Sequence, residues 1–157
     1  MVTALRSFIM AFCLIVSFTG HAAELTEKQV RDFATKFESS ALALDVDAVG
    51  ALLSDDVEMT AHVSFHGTTN TLTINKQEYL EAMKQNLDVY SGYTYTTTDL
   101  AVTLLGNNKA MVKSNSRESM TVQGRAITSE SKENFTVELI NGKLLLTEGV
   151  IYSEMKM

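Results

Sequence analysis

The last two-fifths of the chain reads as four long strand-like runs in succession, and nothing else in the sequence constrains the fold as strongly. The runs cover residues 93–105, 109–122, 125–140 and 143–152. Between them stand the turn sequences Gly106-Asn107-Asn108, Gln123-Gly124 and Asn141-Gly142. Asn-Gly between alternating apolar runs is the strongest short-range hairpin signal. The runs therefore form an antiparallel meander, and strands of this length must twist, curve and carry bulges.

Ahead of the meander the pattern changes period. Thr26 and Gln29 form a capping box, with Leu25 and Val30 placed as a hydrophobic staple. Val30, Phe33, Phe37, Ala41 and Leu44 then recur at helical spacing. Asp45 to Asp47 break that stripe, and Asp47 is placed to cap a short second helix carrying Val49, Leu52 and Leu53. Strict alternation follows: Val57, Met59, Ala61, Val63 and Phe65 face one way, and Glu58, Thr60, His62, Ser64 and His66 the other. Gly67 turns the chain into a return strand over 69–74. Asn75 and Glu78 open a third helix, with Tyr79, Leu80, Met83 and Leu87 on one face.

The N-terminus reads as a leader. Arg6 precedes an uncharged apolar run over 8–18, and Gly20 and Ala22 sit as the small residues of a cleavage site. The run is shorter than the roughly 20 residues a spanning helix needs. The expected organisation is a signal peptide over 1–22 and one domain over 23–157, exported to a periplasm or secreted. Without Arg6 the remaining chain carries twelve basic and nineteen acidic side chains, a net of minus seven. That balance argues against nucleic acid and against anionic lipid as partners. Cys13, the single cysteine, leaves with the leader, which excludes disulfides and thiolate chemistry. Proline is absent and no linker or repeat interrupts the chain.

Helix, short helix, hairpin, helix and four long strands is the order of the nuclear transport factor 2-like superfamily. Leu44-Asp45-Val46-Asp47-Ala48-Val49-Gly50-Ala51-Leu52-Leu53-Ser54-Asp55-Asp56-Val57 resembles that superfamily's second-helix signature. The resemblance covers nearly the whole mature chain. It implies an α+β fold, a curved antiparallel sheet wrapped around three helices of the N-terminal half into a cone whose open end holds a mostly apolar pocket. It also implies a homodimer through the outer face of the sheet.

The chemistries of similar proteins find no match here. The ketosteroid isomerase branch implies a carboxylate base where this chain has Thr60 and Ala61, and a first-helix tyrosine where it has Phe33 and Phe37. The epoxide hydrolase branch implies an arginine and an aspartate two residues apart, yet Arg117 is flanked at that step by Asn115 and Ser119. His62 and His66 would lie about 13 Å apart on a strand, too far to share a metal ion. No glycine-rich phosphate loop follows any strand, so no cofactor and no metal is expected.

A two-residue Asn141-Gly142 loop fixes a register in which Phe135 faces Glu148, Glu133 faces Val150 and Ser131 faces Tyr152. Glu148 then falls among apolar neighbours, where its carboxyl would be desolvated, with Glu133 diagonally across. Two such carboxylates could serve as acid and base. A bulge would instead turn Glu148 out to solvent. The preceding hairpin sets Tyr93, Tyr95, Thr97 and Asp99 opposite Val122, Met120, Glu118 and Ser116, and a face switch there would bring in Leu100 and Val102.

Three functions fit these residues. One is a binding module for a small apolar or amphipathic molecule lined by Phe37, Met83, Tyr93, Tyr95, Phe135 and Tyr152, with Glu148 as polar anchor. Another is a cofactor-independent cyclase, dehydratase or isomerase acting through Glu148 with Glu133 or Glu118. The third is a protein–protein module whose pocket is filled by its own side chains.

Overall fold

In the computed structural model, residues 24–86, 91–122 and 124–156 are described; the predicted leader lies outside them. Among the described residues no helix is long and apolar enough to cross a membrane. The elements run α1 (Glu27–Leu42), α2 (Val46–Gly50), β1 (Leu53–Phe65), β2 (Thr68–Asn75), α3 (Lys76–Asn86), β3 (Ser91–Leu104), β4 (Lys109–Val122), β5 (Arg125–Ile140) and β6 (Lys143–Lys156).

Local chemistry sets each helix start. The Thr26 hydroxyl accepts from the Gln29 amide at 3.3 Å, and the Thr26 amide donates to Gln29 Oε1 at 2.8 Å. Leu25 and Val30 are both buried beside this capping box. Asn75 and Glu78 make the same reciprocal pair, at 2.9 and 3.0 Å, ahead of α3. The short helix departs from expectation by one small shift. Asp45, not Asp47, is its cap, accepting from the Ala48 amide at 3.0 Å. Leu44 enters the left-handed region (φ 53°) and ends the preceding turn, so the helix begins two residues earlier than the sequence suggests. Lys76 ties α3 to β1 through the Leu53 carbonyl at 3.0 Å and the Asp55 carboxylate at 2.8 Å.

All six strands form one sheet in the order β2-β1-β6-β5-β4-β3. The expectation of a wholly antiparallel sheet is corrected at one ladder: β6 lies beside β1 and parallel to it, His62 opposite Tyr152. The remaining ladders are antiparallel. Two irregularities decide which side chains face inward. In β3 the register slips between Thr98 and Ala101, and Asp99 takes a positive φ of 55°, held by a 3.0 Å hydrogen bond from the Asn115 amide group. Asparagine and aspartate tolerate that conformation better than most residues. In β6 Thr147 is an extra residue, because Val137 pairs with Leu146 while its neighbour Thr136 pairs with Glu148.

The core lies between the helices and the inner face of the sheet. Val30, Phe33 and Val49 from the helices meet Leu53, Val57, Ala110, Val112, Val137 and Leu146 from the strands. Gly149 sits inside this packing: a Cβ there would stand 2.5 Å from Met59 Sδ and 3.0 Å from Phe135 Cδ1.

Candidate functional site

Between α1, α3 and the inner face of β3 to β6 the cone encloses a cavity of about 410 Å³, within the usual range for small-molecule pockets. Its wall is mostly apolar. Phe33 and Phe37 come from α1, Met83 from α3, Leu100 from β3, Val112 and Met120 from β4, and Phe135 from β5. Phe37 packs against Phe33 at a ring separation of 6.5 Å and against Phe135 at 6.4 Å. The Asp99 bulge makes this possible, since it keeps both Tyr95 and Thr97 before it, and Leu100 after it, on the cavity side.

The polar part of the wall centres on Glu133, which is only 6% exposed. β5 alternates without interruption from Arg125 to Val137, so Glu133 shares the inner face with Phe135 and Val137. Directly opposite stands Ser114, whose hydroxyl donates to Glu133 Oε2 at 3.0 Å. Ser116, two residues along β4, donates to Oε1 at 2.6 Å. From β3, the Tyr95 hydroxyl reaches both oxygens at 3.0 and 3.1 Å. An ionised carboxylate only accepts hydrogen bonds, so three hydroxyl donors suit its charged form and fix its orientation.

Glu118, partly buried on β4, is the second carboxyl of the wall. Burial raises its pKa, the charge of Glu133 raises it further, and the Tyr93 hydroxyl beside it works in the opposite sense. The tyrosines respond in kind. Burial, followed by the charges of Glu133 and Glu118, pushes Tyr79 up to about 12. Tyr93 and Tyr95 are also raised, by burial first and then by Glu118 and Glu133 respectively. All three phenols therefore stay protonated at neutral pH, and Tyr95 donates to Glu133. Glu38 completes the set of carboxyls along the cavity, and no lysine, arginine or histidine lines it among the described residues. Nor do three His, Cys, Asp or Glu side chains come together among those residues to hold a metal ion.

Of the residues singled out in the sequence, Phe37, Met83, Tyr93, Tyr95, Glu118, Glu133 and Phe135 line this cavity. Glu148 and Tyr152 do not. Glu148 is exposed on the outer face, with the Thr136 hydroxyl at 3.4 Å. Tyr152, 50% exposed, stacks on His62 of β1 at 4.7 Å on that same outer face. One cause moves both: the extra Thr147 inverts the alternation of β6, so Gly149, not Glu148, stands opposite Phe135. Ser114 escaped sequence reasoning, and Ser116 and Tyr79, though placed on their elements, were not read as site residues. Their signal was present, since Ser114 and Ser116 share the parity of Val112 and Glu118 along β4, an unusual run of hydroxyls on a core face.

By sequence the chain matches no family model and no curated protein. By structure it resembles many solved proteins. An NTF2-like protein of unknown function in nutrient uptake from Rhodospirillum rubrum aligns with a TM-score of 0.63 and 19% identity, over 78% of this chain and 96% of that one. A protein with a cystatin-like fold from Nostoc punctiforme aligns at 0.58 and 18%, over 83% and 94%. A hexachlorocyclohexane dehydrochlorinase aligns at 0.60 and 12%, over 83% and 87%. Three helices laid into a curved six-stranded sheet, with a cavity at their junction, give this chain the nuclear transport factor 2-like fold.

Proposed function

We propose that this domain binds a small, mostly apolar molecule whose single polar end meets the Glu133–Tyr95 pair. The observation that carries this reading is the 410 Å³ cavity itself, walled by aromatic and aliphatic side chains and polar at one oriented carboxylate. A pocket filled by its own side chains would have left no such space, which weighs against a purely structural or protein–protein role. Export belongs to the proposal, supported by Arg6, the apolar run after it and the small residues at 20 and 22. The test is native mass spectrometry of the protein from the periplasmic or secreted fraction of its own host. A chain beginning at Ala23 or Glu24 with a retained small molecule is expected. An intact leader would refute export, and a clean apo mass across several gentle preparations would refute tight carriage.

A second reading, cofactor-independent acid–base catalysis, is favoured by one specific observation. Glu133 is held by three hydroxyl donors, and Glu118, whose pKa is raised by burial and then by the Glu133 charge, lines the same cavity. The likeness to a dehydrochlorinase supports only the fold's capacity for elimination chemistry. The discriminating assay is turnover of a panel of elimination and isomerisation substrates by the wild type, Glu133→Gln and Glu118→Gln. Activity lost in both variants supports catalysis; activity equal in all three refutes it.

A further inference from the structure

We propose that the molecule held in this cavity is an organic cation: an amine or ammonium group on an apolar or aromatic body. The inference rests on the ligand-binding reading above and adds the charge of the ligand. Its basis is an imbalance in the wall. Glu38, Glu118 and Glu133 line the cavity with no cationic side chain beside them among the described residues. The ion pairs of those residues are made elsewhere: Lys28–Asp32, Arg31–Glu27, Lys76–Asp55, Lys109–Glu138, and Lys156 with Glu130 and Glu154. The partners Glu133 does have, Ser114, Ser116 and Tyr95, are all neutral.

A carboxylate removed from water normally keeps a counter-charge or gives up its ionisation. Here the protein supplies hydroxyls that orient the charge of Glu133 without cancelling it. A cation entering the cavity would supply what the wall lacks, at the reduced dielectric where attraction is strongest. The aromatic wall suits the same class of ligand. Phe33, Phe37 and Phe135 line it together with Tyr79 and Tyr93, and aromatic side chains attract an ammonium group. An anionic ligand would meet carboxyls with no cationic side chain beside them among the described residues. A neutral alcohol would compete with hydroxyls already bonded to Glu133.

The proposal makes a proton-linked prediction that a merely apolar ligand does not. Glu118 stands opposite Tyr95 in the β3–β4 ladder and shares the cavity wall with Tyr93, Glu133 from β5, Tyr79 from α3 and Glu38 from α1, none of which is cationic. Burial first, and then the Glu133 charge, holds its carboxyl above the ordinary carboxylate value of 4.5. A bound cation would draw it back down, so binding measured just above that ordinary value releases a proton.

Isothermal titration of the full mature protein tests this with a matched set: alkyl and arylalkyl amines, and the alcohols and carboxylates of the same carbon skeletons. The amines are expected to bind about tenfold or more tighter than the alcohols, a gain typical of a charge-assisted contact. The carboxylates are expected not to bind. Just above pH 4.5, the ordinary carboxylate value, the amine heat is expected to vary with the ionisation heat of the buffer, reporting the released proton. Glu133→Gln is expected to erase the preference for amine over alcohol, and Glu118→Gln, which leaves the Glu133 donors in place, to erase the proton release. Alcohols binding as well as amines would overturn the cation inference and leave the ligand-binding reading intact. Failure of all three classes would overturn both.

Discussion

Removing the Tyr95 hydroxyl tests whether Glu133 is a charged, oriented group. Tyr95→Phe keeps the ring and deletes one donor, which the structure places 3.0 and 3.1 Å from the two carboxylate oxygens. A hydrogen bond to a charged partner is worth roughly 1.5–3 kcal/mol, a neutral one about 0.5–1.5 kcal/mol. One proton shared between two oxygens, on a half-buried tyrosine, argues for the lower part of the first range. Ser114 and Ser116 still hold the carboxylate, so Tyr95→Phe should cost about 1.5–2 kcal/mol at neutral pH. For a domain of this size that is a fall of roughly 5–8 °C in Tm. In a Glu133→Gln background the same hydroxyl meets a neutral amide, and Tyr95→Phe should cost about 0.5–1 kcal/mol. The coupling, about 1 kcal/mol, is read from urea denaturation of the four proteins, with equal m values confirming that the denatured state is shared. An undiminished cost of Tyr95→Phe in the Glu133→Gln background would refute a charged Glu133 as the acceptor.

Three further changes follow from the same geometry. The folded pKa of Glu118 lies above its ordinary value of 4.5, so the folded state holds its proton more firmly than the unfolded chain does. Its contribution to stability is complete below 4.5 and lost as pH rises through the raised value. Glu118→Gln should therefore match the wild type near pH 4 and exceed it by neutral pH, as urea midpoints across pH would record; a constant difference would refute it. Gly149→Ala places a Cβ 2.5 Å from Met59 Sδ, so overpacking should cost about 1–3 kcal/mol in denaturant melts. Thr26→Ala removes the hydroxyl of the first capping box and should cost about 1 kcal/mol by the same measurement.

The sequence made the local decisions readable and left the bulges hidden. Both capping boxes lie within four consecutive residues, and their partners are found where the spacing put them. Helix order and the β3–β6 meander were readable for the same reason, since their periodicity and turn residues are local. Register was not. The Asn141-Gly142 hairpin pairs Ile140 with Lys143 and Leu139 with Leu144 as its two-residue turn requires, and the ladder stays in step to Val137 and Leu146. Past that point Thr147 adds one residue to β6 alone. Every β5 assignment survives, because β5 alternates unbroken, so Glu133 and Phe135 face the cavity. Beyond the bulge the β6 assignments invert, and Glu148 and Tyr152 leave it. The parallel neighbour of β6 was equally illegible, because contact between β1 and β6 joins the two ends of the domain.

The bulge at Thr147 can nonetheless be understood from what it brings together. In an unbroken ladder Glu148 would stand opposite Phe135 and add a further buried carboxyl to a wall that already holds Glu133 and Glu118. With the extra residue, Gly149 takes that place, and its missing side chain is what lets Met59 Sδ and the Phe135 ring close in from either side. One inserted residue thus does two things: it keeps a charge out of a poorly solvated space and puts the smallest residue where two large side chains converge. The acidic character of the cavity is consequently confined to the groups that β4, β5 and α1 supply, with Glu133 the one that three hydroxyls hold in place. That selectivity is hard to reconcile with acidic residues scattered by chance over an inner face, because the same sheet that turned Glu148 outward built a cradle for Glu133.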